Sequence, residues 1–247
     1  MVEKNNYFRS TLINNNIFTA FVLKKRLSFK NKDLTATAEK IKDFVSKQTG
    51  VLKSKLKIVF MGQTHSTNIN FLNNSDDLNS EFTILPDTDA VVTNLVNTVL
   101  VIKTADCLPV LYTADKFIAV SHQGWLGSLA NFAEKMILKL QLLGAKLDDI
   151  KISIGPHIAD CCYSIDSDRA SLFKLVYSNW QDLILRKFNK TFYLNLLRLN
   201  LLQYQKAGLN KNQIDYRLFC TSCDKRFCSY RRDKALNQQN LSLILKL

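Results

Sequence analysis

At 247 residues and 47% hydrophobic composition the chain can bury a full core, and no apolar stretch reaches the ~18 uninterrupted residues that a membrane helix needs. The net charge of +13 is uneven: residues 1–57 carry 13 Lys/Arg against 4 Asp/Glu, residues 58–122 carry 2 against 7, and residues 123–247 carry 19 against 10. No zinc-finger, RRM or KH pattern accompanies the excess, which speaks against a nucleic-acid partner and for a basic surface that attracts anions such as phosphate.

In chain order, the opening "MVEKNNYFRSTLINNN" is polar where a signal peptide needs an apolar run. The expectation is a cytoplasmic protein whose six cysteines are reduced thiols or metal ligands. "TATAEKIKDFVSKQTG" sets Ala38, Ile41, Phe44 and Val45 at helical spacing, with Gly50 as a stop. The strands "LKIVFMG", "DAVVTNL", "TVLVIKT", "PVLYT" and "FIAVSH" follow as short β-rich runs separated by polar residues. After His122 the period changes, and Leu129, Phe132, Ala133, Met136, Ile137 and Leu140 fall on one helical face ending near Gly144. "DIKISIG" is a further strand. It is followed by a helical region to about Trp180, the helix "NLLRLNLLQYQKAG", and a strand that runs into the Cys- and Arg-rich "IDYRLFCTSCDKRFCSYRRD". Strands dominate the middle and helices the flanks. The pattern predicts one α+β domain over 1–247, a mixed β-sheet core flanked by helices.

Three residues at strand ends could carry chemistry: His65 in "MGQTHSTN", Cys107 in "TADCLP" and His122 in "AVSHQGWLG". A rigid sheet can bring such side chains to one point. A thiolate and two imidazoles are good zinc ligands, and three ligands with an open fourth position make the catalytic form of such a site. An arbitrary trio of this kind is more often two ordinary histidines and a buried thiol. The context points to a site here, because ending three separate strands in ligand-type side chains gains nothing apolar.

The motifs "QTHS", "TADCLPVLY", "HQGWLGSLANF", "IGPHIADCCYSID" and "CTSCDKRFCSYRRD", in that order over about residues 58–235, resemble the YfiH family, also called the multicopper polyphenol oxidase or laccase-domain family. The resemblance implies a YfiH-like fold with zinc held at His65, Cys107 and His122. It also implies purine nucleoside chemistry: phosphorolysis of adenosine, inosine, guanosine and methylthioadenosine, and deamination of adenosine, with purine nucleosides and inorganic phosphate as partners. Laccase chemistry does not follow. A type 1 copper plus a trinuclear cluster is built mainly on imidazoles, and the chain has three histidines. A single blue-copper site with Met61 as axial ligand is conceivable from those residues, but it would carry electrons without reducing oxygen.

Around this core, Arg231 and Arg232 in "SYRRD" are candidate phosphate clamps, with a salt bridge to Asp233 as the alternative. Asp106 is a candidate to orient a ligand histidine or carry a proton, or else to cap a loop. Gln63 could bond a base edge or the local backbone. The family's third motif is usually HAGWRG. Here Gln123 replaces the alanine and Leu126 the arginine, which puts a phosphate contact in doubt. "FVLKKRLSF" stands where the family carries a glycine-rich segment, and Arg26 is a candidate substitute anion contact. Two other functions use the same residues: a metal-free cysteine hydrolase with Cys107 as nucleophile and a histidine as base, or a binding protein with decayed catalysis. The remaining cysteines, Cys161, Cys162, Cys220, Cys223 and Cys228, contain a single CxxC. They read more readily as buried thiols than as a zinc knot, and His157 reads as structural.

Overall fold

The computed structural model describes residues 1–14, 16–30, 33–79, 81–235 and 237–247. Among these, two large sheets lie face to face. The eight-stranded sheet runs in the order Val2–Lys4, Tyr7–Arg9, Ile17–Val22, Gln238–Lys246, Thr98–Thr104, Lys57–Met61, Thr83–Leu85, with Ser28–Lys30 also pairing to Gln238–Lys246. The six-stranded sheet runs Ile214–Tyr216, Lys151–Ile154, Leu108–Ala114, Phe117–Gln123, Ala90–Thr93, Ile69–Leu72. Both mix parallel and antiparallel pairs.

Strand alternation sorts the side chains into three apolar layers. Val59, Met61, Leu100, Ile102 and Ile244 of the first sheet meet Val91, Leu111, Ile118 and Val120 of the second. The intervening residues Ile58, Phe60, Val99, Val101 and Leu243 face outward onto Ala38, Ile41, Phe44 and Val45 of the helix Leu34–Thr49. On the other side Val110, Tyr112 and Ala119 face Phe132, Met136 and Ile137 of the helix Phe132–Leu142, and Leu199 and Tyr204 of the helix Leu196–Lys206. The result is a helix–sheet–sheet–helix stack. Its central strands are buried on both faces, so they read as continuous apolar runs, and each fully buried large side chain contributes roughly 1.5–3 kcal/mol.

The α+β expectation holds, with two differences. The core is a pair of sheets, and its edge-to-centre order depends on segments at the two ends of the chain, because Gln238–Lys246 lies between Ile17–Val22 and Thr98–Thr104. The helix after His122 is broken in two, Trp125–Leu129 and Phe132–Leu142, by Asn131 in the left-handed region at φ 58°. Asparagine tolerates that conformation, and the break lets the first helix start directly at Gly124. The described residues contain no helix long and apolar enough to cross a membrane.

Candidate metal centre and its cleft

Three connections cross from the first sheet to the second at one end of the stack. Residues 62–68 join Lys57–Met61 to Ile69–Leu72, residues 86–89 join Thr83–Leu85 to Ala90–Thr93, and residues 105–107 join Thr98–Thr104 to Leu108–Ala114. His65, Asp89 and Cys107 ride on these crossings. His122 comes from the last turn of the strand Phe117–Gln123, opposite Pro109.

The donor atoms of His65, Cys107 and His122 all lie within 4.8 Å of one another, with Cys107 Sγ 3.6 Å from His65 Nε2. Behind them sits a fully buried carboxylate, Asp89. Its Oδ1 lies 2.7 Å from His122 Nδ1, which leaves Nε2 as the free donor of that ring. The same carboxylate accepts from Thr64 N at 3.1 Å, His65 N at 3.2 Å, Ser66 N at 2.7 Å and Ser66 Oγ at 2.8 Å. These bonds hold the turn in which His65 takes φ 63°. One buried group therefore aims two of the three donors, the carboxylate–histidine arrangement found behind metal-ligating imidazoles.

The centre also needs the space left by Gly124. A Cβ there would lie 2.8 Å from His65 Cδ2 and 3.2 Å from Cys107 Sγ, so only glycine admits the imidazole and the thiol together. Burial by itself would push the Cys107 thiol up, but His122 and then His65 outweigh it and bring the thiol down to about 6. Burial would likewise lower His122, and the Cys107 thiolate and Asp89 instead raise it to about 9. Asp89 is held well below the carboxylate range because the bonds from His122 and Ser66 outweigh its burial. A thiolate and two imidazoles around one point fit a single metal ion.

The centre opens into a cleft of about 560 Å³. Its walls include Gln63, Lys103, Asp106, Trp125, Tyr163, Arg169, Tyr230 and Arg231.

A family model described as multi-copper polyphenol oxidoreductase laccase matches residues 22–245. The chain belongs to this family, the YfiH or laccase-domain family. A Bacillus subtilis (strain 168) protein named purine nucleoside phosphorylase YlmD is 30% identical over 194 residues, 75% of this chain and 69% of that one. A purine nucleoside phosphorylase of Clostridium acetobutylicum is 33% identical over 192 residues, 76% of each chain. A protein named adenosine deaminase RL5, from an unknown prokaryotic organism, is 28% identical over 182 residues, 71% of this chain and 70% of that one. In fold, the chain is similar to the YfiH crystal structure from Bacillus licheniformis, with a TM-score of 0.82, 24% identity and 94% of each chain covered. It is also similar to YlmD from Geobacillus stearothermophilus, with a TM-score of 0.83, 20% identity, and 100% of this chain and 98% of that one covered.

Within this laccase-domain chain the remaining candidate residues separate. Gln63 lines the cleft, but its amide is spent on the backbone of Lys103: Nε2 donates to O at 2.9 Å and Oε1 accepts from N at 3.0 Å. Asp106 also lines the cleft, and the carboxylate that bonds a ligand histidine is Asp89. Asp106 accepts from Thr221 Oγ1 and from Arg231 N, each at 2.6 Å, so it ties loops together. Arg231 reaches the cleft while donating to Cys162 O, Ser164 Oγ and Ser164 O. Arg232 does not line it. That guanidinium pairs with Asp233 and donates to Thr221 O and Phe227 O, so it knots its own loop in place of clamping phosphate. Arg26 likewise lies outside the cleft, over the Phe44 ring at 5.6 Å, because the helix Leu34–Thr49 draws it to the outer face of the first sheet. Met61 is fully buried in the apolar layer between the sheets and does not line the cleft.

Gln123 does not narrow the cleft. It follows His122 on a strand and so points the other way, into a buried polar cluster where Nε2 lies 2.9 Å from Tyr112 OH, 2.8 Å from Ser121 Oγ and 2.9 Å from Tyr204 OH. Leu126 is exposed and lies outside the cleft wall. Sequence reasoning missed Asp89 and Arg169. The only signal for Asp89 was a lone acid opening "DAVVTNL". Arg169, third in the helix Ser167–Val176, had none. His157 is buried, with Nδ1 2.8 Å from Gly155 O.

Proposed function

We propose that this protein is a zinc-dependent purine nucleoside enzyme, carrying out phosphorolysis of adenosine, inosine, guanosine and methylthioadenosine and deamination of adenosine. The observation that carries this reading is a three-donor centre, backed by Asp89, that opens into a cleft lined by cations. Relatives named purine nucleoside phosphorylase and adenosine deaminase support it. One thiolate and two imidazoles suit zinc and are too few for a multicopper cluster. A zinc ion held by His65, Cys107 and His122 would supply a Lewis acid at the cleft.

The protein's own side chains divide the remaining work. Asp89 fixes the ring of His122, so the donors are in place before substrate enters. Burial pushes the Tyr163 phenol up to about 12, so at neutral pH it keeps its proton and donates to a purine nitrogen or ribose oxygen. Tyr230, on the cleft wall, is the aromatic side chain assigned to a base, the Trp125 ring being covered by Arg169. Inorganic phosphate falls to Arg169, because the Lys103 ammonium lies 4.8 Å over the Phe29 ring and 5.7 Å over the Phe60 ring, on the outer face of the first sheet. The Arg169 guanidinium stacks 4.2 Å over Trp125, its nearest carboxylate contact is Asp166 at 3.9 Å, and its buried Nε has no partner. With Nε buried, the outer part of this guanidinium on the cleft wall is what suits a tetrahedral oxyanion, and it supplies a contact that Leu126 cannot make.

Incubation with adenosine, with and without phosphate, tests the reading through the appearance of adenine, inosine and hypoxanthine. Turnover of no purine nucleoside under either condition overturns it. Replacing Arg169 with Gln is expected to raise the KM for phosphate on the order of tenfold, about 1.4 kcal/mol, while leaving deamination in place. One observation favours a second reading, metal-free cysteine hydrolysis: Cys107 is held as a thiolate beside His122. Activity that survives chelators and is blocked by a thiol alkylator would select it.

A further inference from the structure

The cysteines that read as buried thiols are mostly not buried. Cys161 and Cys223 are exposed, Cys162 and Cys220 half-buried, and only Cys228 is enclosed, its backbone N–H donating to Asn240 Oδ1 at 2.7 Å. The first four converge, with all Sγ atoms within 4.8 Å of one another. Cys161 and Cys162 are 3.8 Å apart, Cys161 and Cys223 3.7 Å, and Cys162 and Cys223 3.3 Å.

We propose that Cys161, Cys162, Cys220 and Cys223 form a second, closed metal site that takes one tetrahedral zinc ion. A tetrahedron with Zn–S bonds of about 2.3 Å has edges of about 3.8 Å, close to the 3.3–3.8 Å between Cys161, Cys162 and Cys223, with Cys220 Sγ within 4.8 Å of each. Disulfide bonding would require about 2.05 Å. Polynuclear iron–sulfur clusters hold their thiolates on more than one iron, which spreads the four sulfurs further than this group allows. Crowding four thiols at this distance gains little apolar burial, whereas four thiolates around a dication are mutually stabilised, the thiol protons leaving to solvent on binding.

The backbone is arranged to match. Cys220 and Cys223 form a CxxC knuckle in which Cys223 N and Asp224 N donate to Cys220 O at 3.1 and 2.8 Å. Ala159 N lies 3.5 Å from Cys220 Sγ, an N–H···S contact that favours the thiolate. Four thiolates and a zinc ion leave two negative charges. Two guanidinium groups flank the same loop, Arg186 donating to Asp160 O at 3.2 Å and Arg231 to Cys162 O at 3.2 Å. The site would staple residues 159–163 to residues 220–224. Those loops carry Tyr163 at the cleft wall and Thr221, which anchors Asp106 next to Cys107. Its role is therefore to brace one wall of the cleft without meeting substrate.

This proposal rests on the four thiols alone and stands apart from the purine reading. The test measures zinc per chain, by elemental analysis, in the full-length Cys107→Ala protein purified under reducing conditions from zinc-supplied cells. One equivalent is expected to remain, and it should be lost in the Cys107→Ala/Cys223→Ser chain. Cobalt exchange into Cys107→Ala gives a readout that does not require the double variant to fold: intense visible bands and near-ultraviolet thiolate charge transfer of a four-sulfur site. A Cys107→Ala chain with neither zinc nor the cobalt spectrum, or one whose peptide map shows a disulfide among these cysteines, overturns the proposal.

Discussion

The two groups of candidate metal donors differ in almost every physical respect. His65, Cys107 and His122 stand on crossings between two rigid sheets, with a buried carboxylate behind them and a cleft in front. The four cysteines stand on surface turns and face only one another. Three donors with a free side suit chemistry, and four donors with none suit architecture. The contrast also separates the supports: a side-chain network anchored on Asp89 in one, backbone N–H groups in the other.

Four perturbations break or sharpen that contrast. Cys107→Ala is expected to have the largest effect, reducing nucleoside turnover to background in a product assay while the four-cysteine group keeps its metal. Next is Asp89→Asn, which removes the charge that aims His122 and organises the 64–66 turn. Metal affinity at the open site should fall 10–100-fold by competition with a chromophoric chelator, with no change at the four-cysteine group.

The third perturbation is pH. Cys107 is depressed from the ordinary 9.0 to about 6, so the advantage of its ionised form is complete above 9 and is lost as pH falls through 6. In metal-stripped protein, alkylation of Cys107 followed by peptide mapping should be half-maximal near pH 6, and Asp89→Asn should move that midpoint upward. Metal at the open site should be released by acid over the same range, because binding requires the thiolate. The smallest effect is expected from Gln123→Ala. It costs about 1–2 kcal/mol of stability, read as a lowered Tm, by removing the amide bonded to Tyr112, Ser121 and Tyr204, with the open site intact. A changed KM in that variant would contradict the outward placement of Gln123.

Much of this was legible in residue order. The central strands announce themselves as apolar runs because both their faces are buried, and His65, Cys107 and His122 stand out because ligand-type side chains end those runs. The helix after His122 was legible by period, but its break at Asn131 was not, since a left-handed residue leaves the apolar spacing almost unchanged. The strand Gln238–Lys246 was not read either, although it lies near the centre of the larger sheet, because its place depends on partners more than a hundred residues away in sequence.

Sequence by itself determined the kinds of layer and the three candidate donors that the fold brings within 4.8 Å of one another. These are local properties, set by side-chain chemistry and the two-residue or 3.6-residue period. Tertiary structure decided which carboxylate serves the centre: Asp89, seventeen positions before Asp106, because the crossing that carries it runs beside His65 and His122. It also decided which guanidinium groups line the cleft, assigning Arg169 and Arg231 there and turning Arg232 and Arg26 away. The same holds for the four thiols. The sequence shows them as two separate pairs about sixty residues apart, and only the meeting of two turns brings the four within 4.8 Å of one another.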